Sequence, residues 1–285
     1  MPPSCAVIIV TYNSERDIHH AMDCLQNQSV PASQVIIVDS GSAQLEYLTR
    51  YRSRPNTVVL LANRNVGFCK GNNLGVELIH EPCDYVLFLN PDAFLTPRFL
   101  EEALAFMEQS TQKNCGAMTG ILLGYDREAN APNGKYDSTG VFPTWYGKWY
   151  DRDQRQPYNP NNPKNYKQPE QLPAICGALM LCRKTALDQV LINGVNGKEV
   201  FDSSFFMYKE DIDLSCRLRQ AGWTLMLYPS LLAYHCRGWS QRRAAPRALR
   251  LQAALNELRL HWRHRQPIKI CYSLAKYLSV YILNL

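Results

Sequence analysis

Four short apolar runs, CAVIIVTYN, QVIIVDSGS, TVVLLANR and DYVLFLNPD, recur between Cys5 and Asp92, and stretches with helix-like spacing of apolar residues separate them. Runs of this length without polar alternation are strands buried on both faces. Strands alternating with helices imply a mostly parallel sheet covered by helices on each side, an α/β fold. Right-handed crossovers bring the carboxyl ends of such strands to one edge, and that edge is where ligands bind in open α/β sheets. Here it collects Thr11, Tyr12 and Asn13 from the first run, Asp39 from the second, and Asn90, Pro91 and Asp92 from the fourth. Two readings of Asp92 stay open at this level. Asn, Pro and Asp form turns for purely local reasons, whereas an acid just past a strand end is also placed to handle a ligand.

The chain has 285 residues, 46% of them hydrophobic, enough for one large domain with an appendage. Met1 to Ser4 lead straight into the first strand, so neither a signal peptide nor an N-terminal anchor is expected, and the location expected is cytoplasmic. Ten cysteines are scattered along the chain, several inside apolar runs, without a C-x-x-C pair, which points to reduced core thiols. Net charge is +6, but from Arg237 onward eight Arg and two Lys face one acid, Glu257, leaving the rest of the chain at −3. A basic tail suggests an anionic surface as partner.

The texture changes between Asp126 and Pro173, where prolines, asparagines and the rings of Tyr136, Trp145, Tyr146, Trp149, Tyr150, Tyr158 and Tyr166 gather without strong periodicity. A functional loop offering rings to flat ligands, or a surface loop packed on its own body, both fit. AICGALMLCRK and WTLMLYPSLLAYH then read as strands, and NGVNGKE lacks the spacing of a phosphate loop and reads as a turn. Beyond Pro246, Ala248, Leu251, Leu255, Leu258 and Trp262 mark one helix, with Arg247, Arg250, Arg259 and Arg263 mostly off that stripe. After Pro267 a second helix places Ile270, Leu274, Tyr277, Leu278, Tyr281, Ile282 and Leu285 on one side. Its modest hydrophobicity and two lysines fit a helix lying in a membrane interface rather than crossing it, the other possibility being a helix docked on the body or on a second subunit. The expected organisation is a catalytic domain over 1–240 and a basic amphipathic tail over 241–285.

In YKEDIDLSCRLRQAGW, Glu210, Asp211 and Asp213 open a helix whose Leu214, Leu218 and Ala221 face inward. Negative charge is favoured in a first helical turn. Three acids beside aromatic residues, in a chain with Asp39 and Asp92 at strand ends, suggest a site that manages a cation and a proton.

As a set, IIVTYNS, VIIVDSGS, NRNVGFCKGNNLG, FLNPDAFL, ICGALMLCRK, YKEDIDLSCRLRQAGW and YPSLLAYHCRGWS resemble the family 2 glycosyltransferases of GT-A fold, especially the branch with rhamnosyltransferases of bacterial surface polysaccharides. The resemblance implies a Rossmann-like mixed, mostly parallel sheet flanked by helices. It implies that NPD stands at the family's DxD signature, with Asn90 in place of its first Asp on the donor side and Asp92 a ligand of Mg²⁺ or Mn²⁺. His235 matches a histidine that completes the metal site. Thr11, Tyr12, Asn13 and Asp39 match positions holding the nucleotide base and ribose, and Asn65, Gly67, Gly71, Asn72 and Asn73 match a segment beside the donor. Asp211 matches the catalytic base, with Glu210 orienting it or binding the acceptor.

The activity implied is inverting transfer from a nucleotide-sugar, dTDP-rhamnose or a UDP-hexose, to a cell-envelope glycan or lipid-linked acceptor at the inner face of the cell membrane. The partners expected are therefore that donor, that acceptor and an anionic membrane surface, with a homo-oligomer through the C-terminal helices as a further possibility. A catalytically silent scaffold of a glycan-assembly complex is the alternative, and the retained acids argue against it. The chain has no recognisable nucleic-acid-binding signature.

Overall fold

A computed structural model describes residues 3–159, 166–194, 197–237 and 246–283. The expected alternation is present from the start: β1 (Cys5–Thr11), α1 (Ile18–Gln26), β2 (Gln34–Asp39), α2 (Glu46–Thr49), β3 (Thr57–Leu61), α3 (Gly67–Glu77), β4 (Tyr85–Leu89), β5 (Ala93–Leu95) and α4 (Phe99–Met107). There follow β6 (Cys115–Asp126), β7 (Ala131–Ser138), β8 (Val141–Pro143), β9 (Trp149–Asp151), β10 (Glu170–Gln171), β11 (Leu179–Arg183) and α5 (Lys184–Gln189). The chain continues through β12 (Ile192–Gly194), β13 (Gly197–Glu199), α6 (Glu210–Gln220), β14 (Thr224–His235), α7 (Arg247–Arg263) and α8 (Pro267–Leu283).

The main sheet runs β10-β14-β6-β11-β4-β1-β2-β3, with β5 and β7 paired to β14 and β6. It is mixed and mostly parallel along that path: β3, β2, β1 and β4 are parallel neighbours, as are β6 and β14, while β11 is antiparallel to both of its partners. Alternate residues of β1 bury on opposite faces. Ile8 belongs to the same core cluster as Cys69 of α3 and Leu214 and Leu218 of α6, and Val7 and Ile9 belong to the opposite one with Ile18 and Met22 of α1 and Phe99 of α4. Helices on both faces are what strands without polar alternation require. Ala221 lies past the last turn of α6 and is exposed, unlike Leu214 and Leu218.

The proline-rich stretch is more ordered than its composition suggests. β7 extends the sheet beside β6, and β8 and β9 form a hairpin. Tyr136 and Trp149 are buried, Tyr158 and Tyr166 pack on the core, and Trp145 and Tyr150 remain exposed. β12 and β13 pair in antiparallel fashion around the segment read as a turn, whose residues 195 and 196 lie outside the described residues, as do 238–245 and Leu285. All ten cysteines are unpaired, as expected.

Both C-terminal helices form, but α7 turns its polar side inward. Arg250, Ala254, Asn256, Glu257, Leu260 and His261 are buried, whereas Trp262 is 73% exposed. Much of the basic charge expected to face a partner is spent within the chain. Arg263 pairs with Asp202 and Asp213, Arg259 donates to the Ser204 carbonyl at 2.5 Å, and Lys276 pairs with buried Glu257. Among the described residues, no helix is long and apolar enough to cross a membrane.

Candidate active site

The carboxyl ends of β1 and β2 meet through Asp39. Its carboxylate accepts hydrogen bonds from the Thr11 hydroxyl (3.1 Å), the Ser42 amide (2.8 Å), the Ser42 hydroxyl (2.5 Å) and the Tyr47 hydroxyl (3.0 Å). Thr11 and Asp39 are fully buried, so they shape this edge, while Tyr12, 51% exposed, and Asn13 stand outward from it. Asn13 is held with φ 50° by Ser42, whose hydroxyl accepts its N–H at 2.7 Å. Asn65 accepts from the Ser40 hydroxyl and from the Gly67 amide, fixing the entry to α3. Gly67 has φ 78°, and a Cβ there would lie 2.5 Å from the Phe206 ring, so only glycine allows this approach.

Two asparagines expected beside the donor have other partners. Asn72 donates to the Phe68 carbonyl, and the Asn73 carboxamide bridges to residues 200 and 201 by donating to the Phe201 carbonyl and accepting from two amides. Both lie on the inward side of α3, as does Gly71, whose position against Val10 would leave a Cβ 2.6 Å from that side chain.

Asp92 follows β4 and is mostly buried, with His235 Nε2 3.3 Å from its carboxylate and Arg127 3.9 Å away. The Asn90 amide donates to the carbonyl of Ala178, just before β11. On its other nitrogen His235 meets Asp137 at 2.8 Å, and Asp137 in turn holds Arg237, which reaches Asp151 at 3.0 Å. Burial acts to lower the imidazole pKa, but Asp92 and Asp137 hold it up to about 10; burial acts to raise Asp137, but His235 and Arg237 bring it down to about 2. A metal-ligating histidine is oriented by a carboxylate on its other nitrogen, as Asp137 orients His235, and here a metal would have to displace the Nε2 proton that faces Asp92. Among the described residues no three His, Cys, Asp or Glu side chains converge to hold a metal. Asp92 and His235 therefore fit a divalent ion only where further oxygens come from a phosphate ligand, the usual habit of hard divalent ions with nucleotides.

The third set of residues opens α6. The Asp211 carboxylate accepts the Gly177 N–H at 2.9 Å, and Gly177 immediately precedes the Ala178 that pairs with Asn90. Asp211 thus lies one backbone step from the NPD turn. Partly buried Cys176 lies close enough to Asp151, Arg237, Asp211 and Asp137 for their charges to act on its thiol. Burial raises the Asp211 pKa, only partly offset by Gly177 and by Lys209. Burial and then Asp211 raise Glu210 well above the carboxylate range, and its Oε2 has no hydrogen-bond partner among the described residues. Helix-dipole stabilisation, expected from the sequence, is outweighed here by desolvation. Asp213 instead is fully buried in a charge cluster with Arg217, Arg263 and His264.

Sequence patterns did not single out Asp137, Asp151, Arg127 or Lys209. Asp137 and Asp151 sit in the aperiodic stretch, where position along the chain says nothing about which sheet edge a residue reaches.

Solved structures share this fold. The chain superposes with TM-score 0.63 on GalNAc-T7 in complex with UDP, GalNAc and Mn²⁺, at 15% identity, covering 91% of this chain and 47% of that one. It superposes with TM-score 0.58 on the mannosyltransferase PcManGT of Pyrobaculum calidifontis, solved with GDP-Man and Mn²⁺, at 15% identity, covering all of this chain and 71% of that one. The sequence pattern of glycosyl transferase family 2 matches residues 6–191, and the chain belongs to that family. It is similar to the N-acetylglucosaminyl-diphospho-decaprenol L-rhamnosyltransferase of Mycobacterium tuberculosis, 26% identical over 250 residues, which span 83% of this chain and 77% of the relative. The low-salt glycan biosynthesis hexosyltransferase Agl10 of Haloferax volcanii is 25% identical over 222 residues, 75% of this chain and 61% of the relative. The fold class, the GT-A architecture and the glycosyltransferase activity expected from the sequence therefore hold.

Proposed function

We propose that the protein transfers a sugar with inversion from a nucleoside-diphosphate donor to a hydroxyl of a lipid-linked or cell-envelope glycan, with Asp211 as base. The observation that carries this is the meeting of Asp211 with the NPD turn through Gly177 and Ala178. Asp211 takes the proton of the acceptor hydroxyl as that oxygen bonds to the anomeric carbon. The bond from that carbon to the diphosphate oxygen breaks on the opposite face, and the diphosphate leaves with the electron pair. A carboxylate whose pKa is raised toward the operating pH is well suited to this proton transfer. Burial and the neighbouring Asp211 favour the neutral form of Glu210, which limits the negative charge around Asp211. Asp92 and His235 would hold Mg²⁺ or Mn²⁺, which when bound supplies positive charge to the departing diphosphate. Tyr12, Asn13 and Asn65 line the donor side over the base laid by Thr11 and Asp39. Likeness to a rhamnosyltransferase favours dTDP-rhamnose, with UDP-hexoses next.

The test is thermal unfolding of the purified protein with UDP, dTDP and GDP, each with and without Mn²⁺, since a ligand of the native state raises its midpoint. A Mn²⁺-dependent rise with one nucleotide, lost in Asp92→Ala, is expected. No rise with any nucleotide, or a rise indifferent to Asp92→Ala, overturns the donor and metal assignments respectively.

The relative's diphospho-decaprenol acceptor is a lipid. α7 and α8 present an outward apolar face suited to the membrane holding such an acceptor, with Trp262, Ile268, Leu274, Leu278, Tyr281 and Ile282 exposed. Because Arg259, Arg263 and Lys276 are engaged internally, apolar contact leads and charge follows. Trp262→Glu with Leu274→Glu is expected to abolish co-flotation with phosphatidylglycerol vesicles while leaving the nucleotide shift unchanged. Retained flotation, or a fall in oligomer size with the same variant, would assign the face to another contact or to a second copy.

A further inference from the structure

We propose that Asn256, in the middle of α7, is a positioning residue for the transfer, holding the segment that presents Asp211; this rests on Asp211 being the base. The segment Ser203–Lys209 that leads into α6 is bent into conformations that side chains with a Cβ avoid, with φ 60° at Phe206, 73° at Tyr208 and 76° at Lys209. None of the three is glycine. Such a backbone persists only where its surroundings over-determine it.

The surroundings here are two helices. From α3, the Cys69 amide donates to the Phe206 carbonyl at 3.1 Å. From α7, the Asn256 carboxamide nitrogen donates to the carbonyls of Phe205, Met207 and Tyr208 at 2.7, 2.8 and 3.0 Å, and Gln252 donates to Phe205 at 3.0 Å. The Asn256 oxygen accepts from Gln252 and Arg259 at 3.1 and 3.2 Å, which fixes which end of the amide faces the bent segment. Asn256 is fully buried. A buried amide in a helix interior is costly unless satisfied, and a helix that only had to dock would be served as well by leucine. Next to this clamp, Lys209 lies 4.0 Å from buried Glu257, and Asp213 in the first turn of α6 is gripped by Arg263 and His264. α7 therefore holds the base helix at its entrance and in its first turn. The tail is part of the catalytic apparatus as well as a surface element.

The experiment compares the full chain with Asn256→Ala and Gln252→Ala by backbone amide exchange, by nucleoside diphosphate affinity with Mn²⁺, and by steady-state release of nucleoside diphosphate from the sugar nucleotide that the wild type consumes. In Asn256→Ala, exchange over 205–213 is expected to quicken about 10-fold or more while β1 and β2 keep their protection. Loss of alignment is expected to lower kcat about 10²-fold, with donor KM and nucleotide affinity within about twofold of wild type. Gln252→Ala, which removes a single bond to the segment, moves both quantities the same way by less and guards against failure of the first variant to fold. Wild-type exchange and kcat in either variant overturn the proposal. So does loss of protection across β1 and β2 together with loss of nucleotide affinity, which would make Asn256 a residue of the fold alone. If the wild type releases no nucleoside diphosphate from any sugar nucleotide, the transfer mechanism fails on its own and the exchange result still decides the clamp.

Discussion

Asp39 and Glu210 are both buried carboxylates at the edge of the same sheet, and they are treated in opposite ways. Asp39 receives the hydroxyls of Thr11, Ser42 and Tyr47 and the Ser42 amide, all from β1, β2 and the turn and helix that follow β2. Among the described residues one Glu210 oxygen has no partner, and Asp211 and Asp213 add to the burial that raises its pKa while Lys209 opposes it. A fully bonded buried carboxylate organises a scaffold. An unsatisfied one held beside a second acid costs stability, and such groups gather where a proton has to move. The surroundings of Asp39 are built to stay as they are; those of Glu210 carry a strained bond inventory that other elements must hold.

The comparison is sharpest at Asp211. Asp211→Asn is expected to slow transfer about 10³-fold with nucleotide binding intact, because it removes the proposed base and almost no volume. Turnover near wild type would leave the acids of α6 without that chemical purpose. Asp39→Ala strands four donors and is expected to destabilise the fold by about 3 kcal/mol, read as a lower midpoint in thermal or urea unfolding. An unchanged midpoint would make Asp39 as expendable to the fold as Glu210. Glu210→Gln moves the other way. With its folded pKa raised, Glu210 keeps a proton that the unfolded chain releases, so stability falls as pH rises from the unfolded value, about 4.3, toward the folded one. The glutamine variant loses that fall. It is expected to be more stable than wild type at neutral pH by about 1 kcal/mol, some 2–4 °C in midpoint, and to match it near pH 4. A variant less stable at neutral pH would reverse the assignment.

Much of the β1–β4 half of the sheet was legible because its signals are local. β1, β2 and β4 are continuous apolar runs, and each stops on the polar residues that the crossover rule sends to one edge. That Asn72 and Asn73 lie on the buried side of α3 was not legible, since helical periodicity around glycines does not say which side of α3 meets the sheet. The aromatic stretch gave its composition but not its pairing. Tyr136 is buried on β7 while Trp145 is exposed in the β8–β9 hairpin, because burial follows from strand partners far along the chain.

In α7 the two levels separate most clearly. A helix with an apolar stripe through Leu251, Leu255, Leu258 and Trp262 and basic residues off it follows from residue order, since 3.6-residue spacing is a property of the chain alone. Packing against the body is what turns the polar side inward, where Asn256 meets three carbonyls and Arg263 meets Asp202 and Asp213. The bent segment before Asp211 creates that demand for donors, and a backbone carbonyl turned the wrong way leaves no mark in the order of amino acids.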